Sequence, residues 1–245
     1  MNPTVETILS HRSIRKFKNQ SIDTETLNTL LNCARAASSS SNLQCVSVIR
    51  VSSEENRALL AEYAGNQAYV AGAAEFLVFC ADFNRHQQIV PDAKLGFIEQ
   101  TLIGAVDCAL MAQNCLVAAE SLGLGGVYIG GLRNNPDKVC ALLNLPEHTF
   151  PMFGLCLGYP DQDPGLKPRL PLDLIVHEDS YQPMDKAVLA QYDNTMRDYY
   201  RERTQGKNEQ SWSEQISNTV SKEARPFMQE RLNQQVGIQA RGNDL

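Results

Sequence analysis

Residues 95–131 read LGFIEQTLIGAVDCALMAQNCLVAAESLGLGGVYIGG, and the organisation of the chain turns on them. No proline interrupts Leu95 to Leu122, and Leu102, Val106, Leu110, Met111, Leu116 and Val117 surround most of the helical circumference. A helix that apolar belongs in the centre of a core or at a dimer interface. Gly123 is placed to end it, and Gly125 to Gly131 then read as a short strand bracketed by glycines. Upstream, the nearly continuous apolar run from Ala74 to Ala81 predicts a strand covered on both faces, and Val46 to Val51 alternates as a second strand. Downstream, Met152 to Leu157 forms another apolar strand after a short helix over Pro136 to Leu143. The helical spacing of TVETILSHRSIRKF predicts a first helix running into a basic cluster, and Asp23 caps a second over Leu27, Leu30, Leu31 and Ala34. EENRALLAEYAG predicts a third.

Beyond Gly158 the texture changes to the proline-rich YPDQDPGLKPRLPLDLIVHED and then to polar, helical sequence. Residues 1–180 read as the core, and 181–245 as a C-terminal helical arm of the same domain. At 245 residues, 43% hydrophobic and 20% charged, with a net charge of −6, the composition is that of a globular protein. It argues against nucleic-acid binding through a basic surface, against disorder and against a collagen-like repeat. No run of about 20 uninterrupted apolar residues predicts a membrane span, and MNPTVETILSHRSIRKFKNQ lacks an export signal. Seven cysteines, odd in number and without a C-x-x-C pair, read as reduced thiols of a cytoplasmic protein. His11, His86, His148 and His177 form no H-x-x-x-H pair, so no metal site is expected.

Several motifs invite chemistry. Gly123-Leu124-Gly125-Gly126-Val127-Tyr128 fails as a dinucleotide fingerprint, because it follows a helix and leads into a strand, the reverse of the order that sets a helix N-terminus on a pyrophosphate. Gly130-Gly131 reads either as backbone open to a flat ligand or as a tight turn. Gly154-Leu155-Cys156-Leu157-Gly158 resembles a nucleophile elbow, but Tyr159-Pro160 follows where a helix is required, so Cys156 reads as a core cysteine. His11, Arg12, Ser13 and Arg15 form a donor cluster suited to a phosphate, or else a solvated basic face. Lys167-Pro168-Arg169 is a second cationic candidate. Arg203, Lys207, Lys222 and Arg225 form a third, for which ion pairs with Glu202, Glu209 and Glu223 are the default reading.

Taken together, HRSIRKF, ARAASSSSNLQC, AAEFLVFCADFNRH, AAESLGLGGVYIGGLRNN, FGLCLGYP, LKPRLP and HEDSYQPMDK resemble the oxygen-insensitive NADPH nitroreductases of the major type, over roughly residues 3–230. The resemblance implies an α+β nitroreductase-like fold: a central, mainly antiparallel sheet surrounded by helices, in a homodimer with FMN at the subunit interface. It implies that His11, Arg12, Ser13 and Arg15 hold the FMN phosphate and ribityl or ring edge, and that Ser39 reaches the flavin, of the partner subunit. By the same resemblance Gln67 bonds the ring, Tyr128, Ile129, Gly130 and Gly131 lie along it, and Lys167 and Arg169 complete the site. Arg203, Lys222 and Arg225 match positions that bind the 2′-phosphate of NADPH as co-substrate, whereas Ser41 and Asn42 match acceptor contacts. Where relatives carry an aromatic residue, this chain has Asn42. The implied activity is two-electron, ping-pong reduction of nitroaromatics, quinones or similar small acceptors, the chemistry being carried by FMN rather than by a catalytic side chain. An NADPH-dependent flavin reductase and a non-catalytic nucleotide-binding regulatory module are the alternatives.

Overall fold

Every residue of the run Glu75–Asp82 is buried, which requires a strand covered on both faces and paired along both edges. The computed structural model, which describes residues 2–237, meets that requirement with a four-stranded sheet. In chain order the first elements are α1 (Pro3–Leu9), α2 (Thr24–Arg35), β1 (Val46–Arg50), α3 (Glu54–Tyr63), α4 (Tyr69–Gly72), β2 (Glu75–Asp82), α5 (Asn84–Ile89) and α6 (Ile98–Ser121). They are followed by β3 (Gly125–Ile129), α7 (Pro136–Leu142) and β4 (Thr149–Gly158). Strand order is β1-β2-β4-β3, antiparallel throughout, so β2 and β4 are the central pair. The register between them shifts at Phe79/Cys80, and Pro151 lies at that irregularity. A bulge tolerates a residue that has no N–H to donate, and β4 therefore begins at Thr149, ahead of the Met152 start expected from hydrophobicity.

Alternate residues of β2 feed two cores. Leu77, Phe79 and Ala81 pack with α2 and α6 on one face; Phe76, Val78 and Cys80 pack with α3 and α7 on the other. The expected Asp23 cap is present, its carboxylate accepting from the Thr26 N–H at 2.8 Å. By contrast, the first helix ends at Leu9, well before the basic cluster that was expected to continue it. Residues 11–20 instead run extended, with Ile14 N–H donating to Gly126 O at 2.9 Å and Lys18 N–H to Tyr159 O at 2.9 Å. β3 is an edge strand, and covering its open backbone while burying Ile14 outweighs the helical spacing of the sequence.

α6 is long and apolar enough to cross a membrane by length and composition alone. Here one face joins the core through Cys108, Ala112, Cys115, Leu116 and Ala119, and Asp107 is buried within it. At Gly104 a Cβ would lie 2.5 Å from the Ala81 Cβ, so glycine sets how closely the helix approaches the sheet.

The described chain divides into two units, residues 2–164 together with 225–237, and Gly165–Ala224. The division thus falls earlier than 180, and the C-terminal segment does not stay with the arm. α10 (Met228–Val236) returns to the first unit, burying Val236 in its core while His148 N–H donates to Gln235 O at 2.8 Å. The second unit holds α8 (Lys186–Arg203) and α9 (Trp212–Val220), joined by an edge-to-face contact between Tyr192 and Trp212. Its proline-rich entry belongs to it because the Tyr192 hydroxyl donates to Pro168 O at 3.2 Å.

Replacing Gly104 with Ala forces a methyl group into Ala81, and overpacking of this kind costs about 1–3 kcal/mol. The expected outcome is a lowered thermal midpoint with unchanged far-UV circular dichroism.

Candidate functional site

β3 ends in a tight turn over Gly130–Asn134, and the two glycines there differ in what they permit. A Cβ on Gly130 would meet only the Arg133 guanidinium, at 3.4 Å. On Gly131 it would strike Ala64 O at 2.4 Å and the Gln67 Nε2 at 2.5 Å. Gly131 is therefore required by the chain's own packing, while Gly130 leaves backbone open. Beside it lies a cleft of about 590 Å³ lined by Val106, Leu110, Tyr128, Gly130, Arg133 and Phe153. The Tyr128 hydroxyl donates to Gln113 Oε1 at 3.1 Å, and burial, followed by the nearby Cys115 and Glu120, pushes its phenol up. Ile129 is buried beneath the turn.

Arg133 and Arg225 meet at this turn. Arg133 donates to Met152 O; Arg225 donates through Nε to Asn134 Oδ1 at 3.0 Å and through Nη2 to Gly130 O at 3.5 Å. Burial, and then the charge of Arg225, pull the Arg133 guanidinium below its ordinary pKa. Among the described residues neither has a carboxylate partner, so the mouth of the cleft carries uncompensated positive charge. Gln67 reaches the same turn, donating to Ala64 O at 2.6 Å and accepting from the Tyr69 hydroxyl at 2.5 Å. Arg133 was missed from the sequence, where a single arginine in GGLRNN carries no signal.

Extension, rather than helix, separates the HRSIR side chains. Ile14 is buried, and alternate residues of an extended segment share a face, so Ser13 and Arg15 lie together on the opposite side. Among the described residues neither has a hydrogen-bond partner. Arg12 instead pairs with Asp163 at 3.1 Å, and His11 Nδ1 lies 2.6 Å from Glu120 Oε1. The other Glu120 oxygen is buried without a partner among the described residues.

Ser39, Ser41 and Asn42 occupy a loop on a different face of α6. The Ser39 hydroxyl donates to Asp107 Oδ2 at 2.6 Å and accepts from Gln44 N–H at 2.7 Å, leaving one lone pair for a ligand. Ser41, Asn42 and Gln44 have φ of 48°, 57° and 51°. Left-handed backbone costs non-glycine residues roughly 1–2 kcal/mol each, and persists where surrounding contacts over-determine it. Asp107 was also missed, because the loop that covers it comes from a distant part of the chain and leaves no mark in the helix sequence.

Within the second unit, Lys167 Nζ bonds the Tyr200 hydroxyl at 3.0 Å and Arg169 donates to Lys167 O at 3.1 Å. Lys167 has no carboxylate partner among the described residues. Arg203 lies over the Tyr199 ring and donates to its hydroxyl at 2.5 Å. The ion pairs expected for the third cationic set fall elsewhere: Glu209 is held by Arg201 and Glu214 by Arg197. Lys222 is exposed.

Residues 8–159 match the model of the nitroreductase family, and 167–239 that of the nitroreductase family C-terminal domain. The chain belongs to the nitroreductase family. It is 53% identical to an oxygen-insensitive NADPH nitroreductase of Salmonella typhimurium over 96% of this chain and 98% of that protein. It is 54% identical to an NADPH-flavin oxidoreductase of Vibrio harveyi, over 95% and 97% respectively. The crystal structure of nitroreductase A from Vibrio parahaemolyticus superposes with a TM-score of 0.92 at 54% identity, covering 96% of this chain and 98% of that one. That of the Vibrio harveyi NADPH:FMN oxidoreductase complexed with NAD+ gives 0.90 at 52% identity, with the same coverage. The nitroreductase fold expected from the resemblance is therefore the fold of this chain.

Cys156 lies in β4, fully buried, and burial pushes its thiol up, as suits a core residue and not a nucleophile. Burial likewise raises Cys45 and Cys115 to about 12 and Cys140 to about 11. Of the seven thiols only Cys33 is not buried. A thiol reagent at pH 8 is expected to label one cysteine rapidly in the native protein and seven after denaturation; several fast thiols in the native state contradict this packing.

Proposed function

We propose that this nitroreductase-family member is an NADPH-dependent FMN oxidoreductase that reduces nitroaromatics, quinones or similar small acceptors by two-electron ping-pong transfer. The observation that carries the reading is the apolar cleft beside Gly130, edged by two guanidinium groups without carboxylate partners among the described residues. A flat aromatic ring with an anionic tail fits that chemistry, and FMN is such a molecule. Ser13 and Arg15 supply an additional hydroxyl and guanidinium with no partner within the described chain. Relatives more than half identical over nearly the whole chain are named for NADPH and flavin.

Bound FMN would supply the redox chemistry, uptake of a hydride from NADPH and delivery of two electrons to the acceptor. The chain's own residues bind, orient and screen. Ser13 and Arg15 hold the phosphate, with His11 steadied by Glu120 and Arg12 by Asp163. Gly130 offers backbone to the ring, Gln67 a hydrogen bond, and Tyr128 and Ile129 an apolar wall. Lys167 and Arg169 supply positive charge for the ring's electron-rich edge, stabilising charge that develops on reduction. Arg203, Lys222 and Arg225 select NADPH over NADH through the 2′-phosphate. Ser41 and Asn42 contact the acceptor.

The proposed active form is a cytoplasmic homodimer. Ile98, Leu102, Val106 and Leu110, four residues apart along α6, each expose 43–61% of their surface, a stripe that a second copy would cover. The Ser39 loop and the Gly130 cleft lie on different faces of α6, so a second chain can bring one to the other. The seven thiols, none of them in a disulfide, suit a reducing compartment.

The purified protein is expected to be yellow and to oxidise NADPH faster than NADH. A colourless protein that takes up no FMN on titration overturns the enzyme reading. Arg15→Ala should weaken FMN binding by about 10- to 100-fold, the worth of one charge-assisted hydrogen bond, measured by fluorescence titration. Arg203→Ala should raise the KM for NADPH about tenfold while leaving kcat/KM for the acceptor unchanged. A preference for free FMN over nitroaromatics and quinones in an acceptor panel would favour the flavin-reductase reading.

A further inference from the structure

The loop carrying Ser41 and Asn42 is held from one point inside α6. Asp107 is only 3% exposed within α6. Its two oxygens accept from three places on the loop: Oδ2 from the Ser39 hydroxyl at 2.6 Å and the Cys45 thiol at 3.4 Å, and Oδ1 from Ser40 N–H at 3.1 Å. Asp107 thus grips the loop on both sides of Ser41 and Asn42. Further ties come from α5: Arg85 donates to Gln44 O at 3.1 Å, and His86 Nε2 lies 2.7 Å from Leu43 O. Between these anchors the backbone stays left-handed at Ser41, Asn42 and Gln44, a conformation that residues other than glycine leave when released.

We propose that Asp107 is a positioning residue for electron-acceptor reduction, its carboxylate fixing the 39–45 loop so that Ser41 and Asn42 are presented in one conformation to the acceptor. This rests on the functional reading above. A buried carboxylate is suited to the task because all three of its partners are donors. Asparagine serves less well. With its amide nitrogen toward Ser39, the Cys45 thiol loses its acceptor and the hydroxyl, no longer a donor to a carboxylate, is held only through the lone pair that Gln44 N–H leaves free. With the amide reversed, two N–H groups face each other at Ser40. Either orientation weakens the hold on one side of the loop.

The role divides the two half-reactions. NADPH carries its own anchor in the phosphate contacts proposed for Arg203, Lys222 and Arg225, whereas a small nitroaromatic or quinone depends on the loop for orientation. In ping-pong kinetics kcat/KM for each substrate reports only its own half-reaction. Asp107→Asn, assayed at full FMN occupancy, should therefore lower kcat/KM for a nitroaromatic about tenfold and leave that for NADPH within about twofold. Arg85→Ala, which loosens the same loop from an exposed position, should shift the acceptor value in the same direction by a smaller factor.

Amide hydrogen exchange supplies a readout independent of turnover. Ser40, Asn42, Leu43 and Gln44 should exchange slowly in the wild-type holoenzyme and at least about tenfold faster in Asp107→Asn. Unprotected exchange at these amides in the wild type overturns the proposal even if the variant does not fold. Equal losses for both substrates at full FMN occupancy would reduce Asp107 to a structural residue, and an unchanged acceptor value would remove the role altogether. A wild-type protein without FMN or NADPH turnover overturns the functional reading and this role with it. Normal wild-type turnover with unaltered acceptor kinetics in Asp107→Asn overturns the role alone.

Discussion

The close seating of α6 against β2, set by Gly104 over Ala81, is the constraint from which the rest of the first unit follows. A longer side chain at that point would lift the helix from the sheet, and with it the face that carries Cys108, Ala112, Cys115, Leu116 and Ala119 into the core. The same seating decides what the other faces of the helix meet. Val106 and Leu110 become a wall of the cleft beside Gly130, and Asp107 comes to rest beneath the 39–45 loop. One helix thereby supplies core, cleft and loop anchor, each from a different side of its circumference.

Charge is distributed with the same economy. The overall charge is −6, yet Arg133, Arg225, Arg15 and Lys167 have no carboxylate partner among the described residues. Acids elsewhere are spent on structure: Glu75 on Arg50, Asp82 on Ser47 and Thr149, Asp107 on its loop, and Glu209 on Arg201. Unmatched guanidinium groups cost stability when half-buried, as the depressed pKa of Arg133 expresses. That cost is repaid when an anion binds, so a site of this kind is legible from which cations lack partners rather than from net charge.

Much of the fold could be read directly. The apolar run at Glu75–Asp82, the unbroken helix over Ile98–Ser121 and the Asp23 cap are local patterns, and each formed close to where the sequence put it. The errors have tertiary causes. Helical spacing through HRSIRKF lost to the open edge of β3, which took Ile14 as a partner. Pro151 hid the start of β4 because a bulge against β2 accommodates it. The boundary near 180 falls elsewhere because proline content does not report what a segment packs against, and Met228–Val236 returns to the first core through Val236.

For the site, the sequence by itself determined the family, through long collinear blocks, and the chemical kinds of residue available: a donor cluster at His11 to Arg15, paired glycines, and cations near the C-terminus. Only the tertiary structure decided how those residues are used. It parted Gly130 from Gly131, one open and one packed on Ala64 and Gln67. It also turned Arg12 to Asp163 while leaving Ser13 and Arg15 without a side-chain partner among the described residues, and it brought out Arg133 and Asp107. The physical reason is that side-chain identity fixes what a group can donate, accept or exclude, whereas its partner, and so its remaining capacity for a ligand, is set by residues distant in the chain.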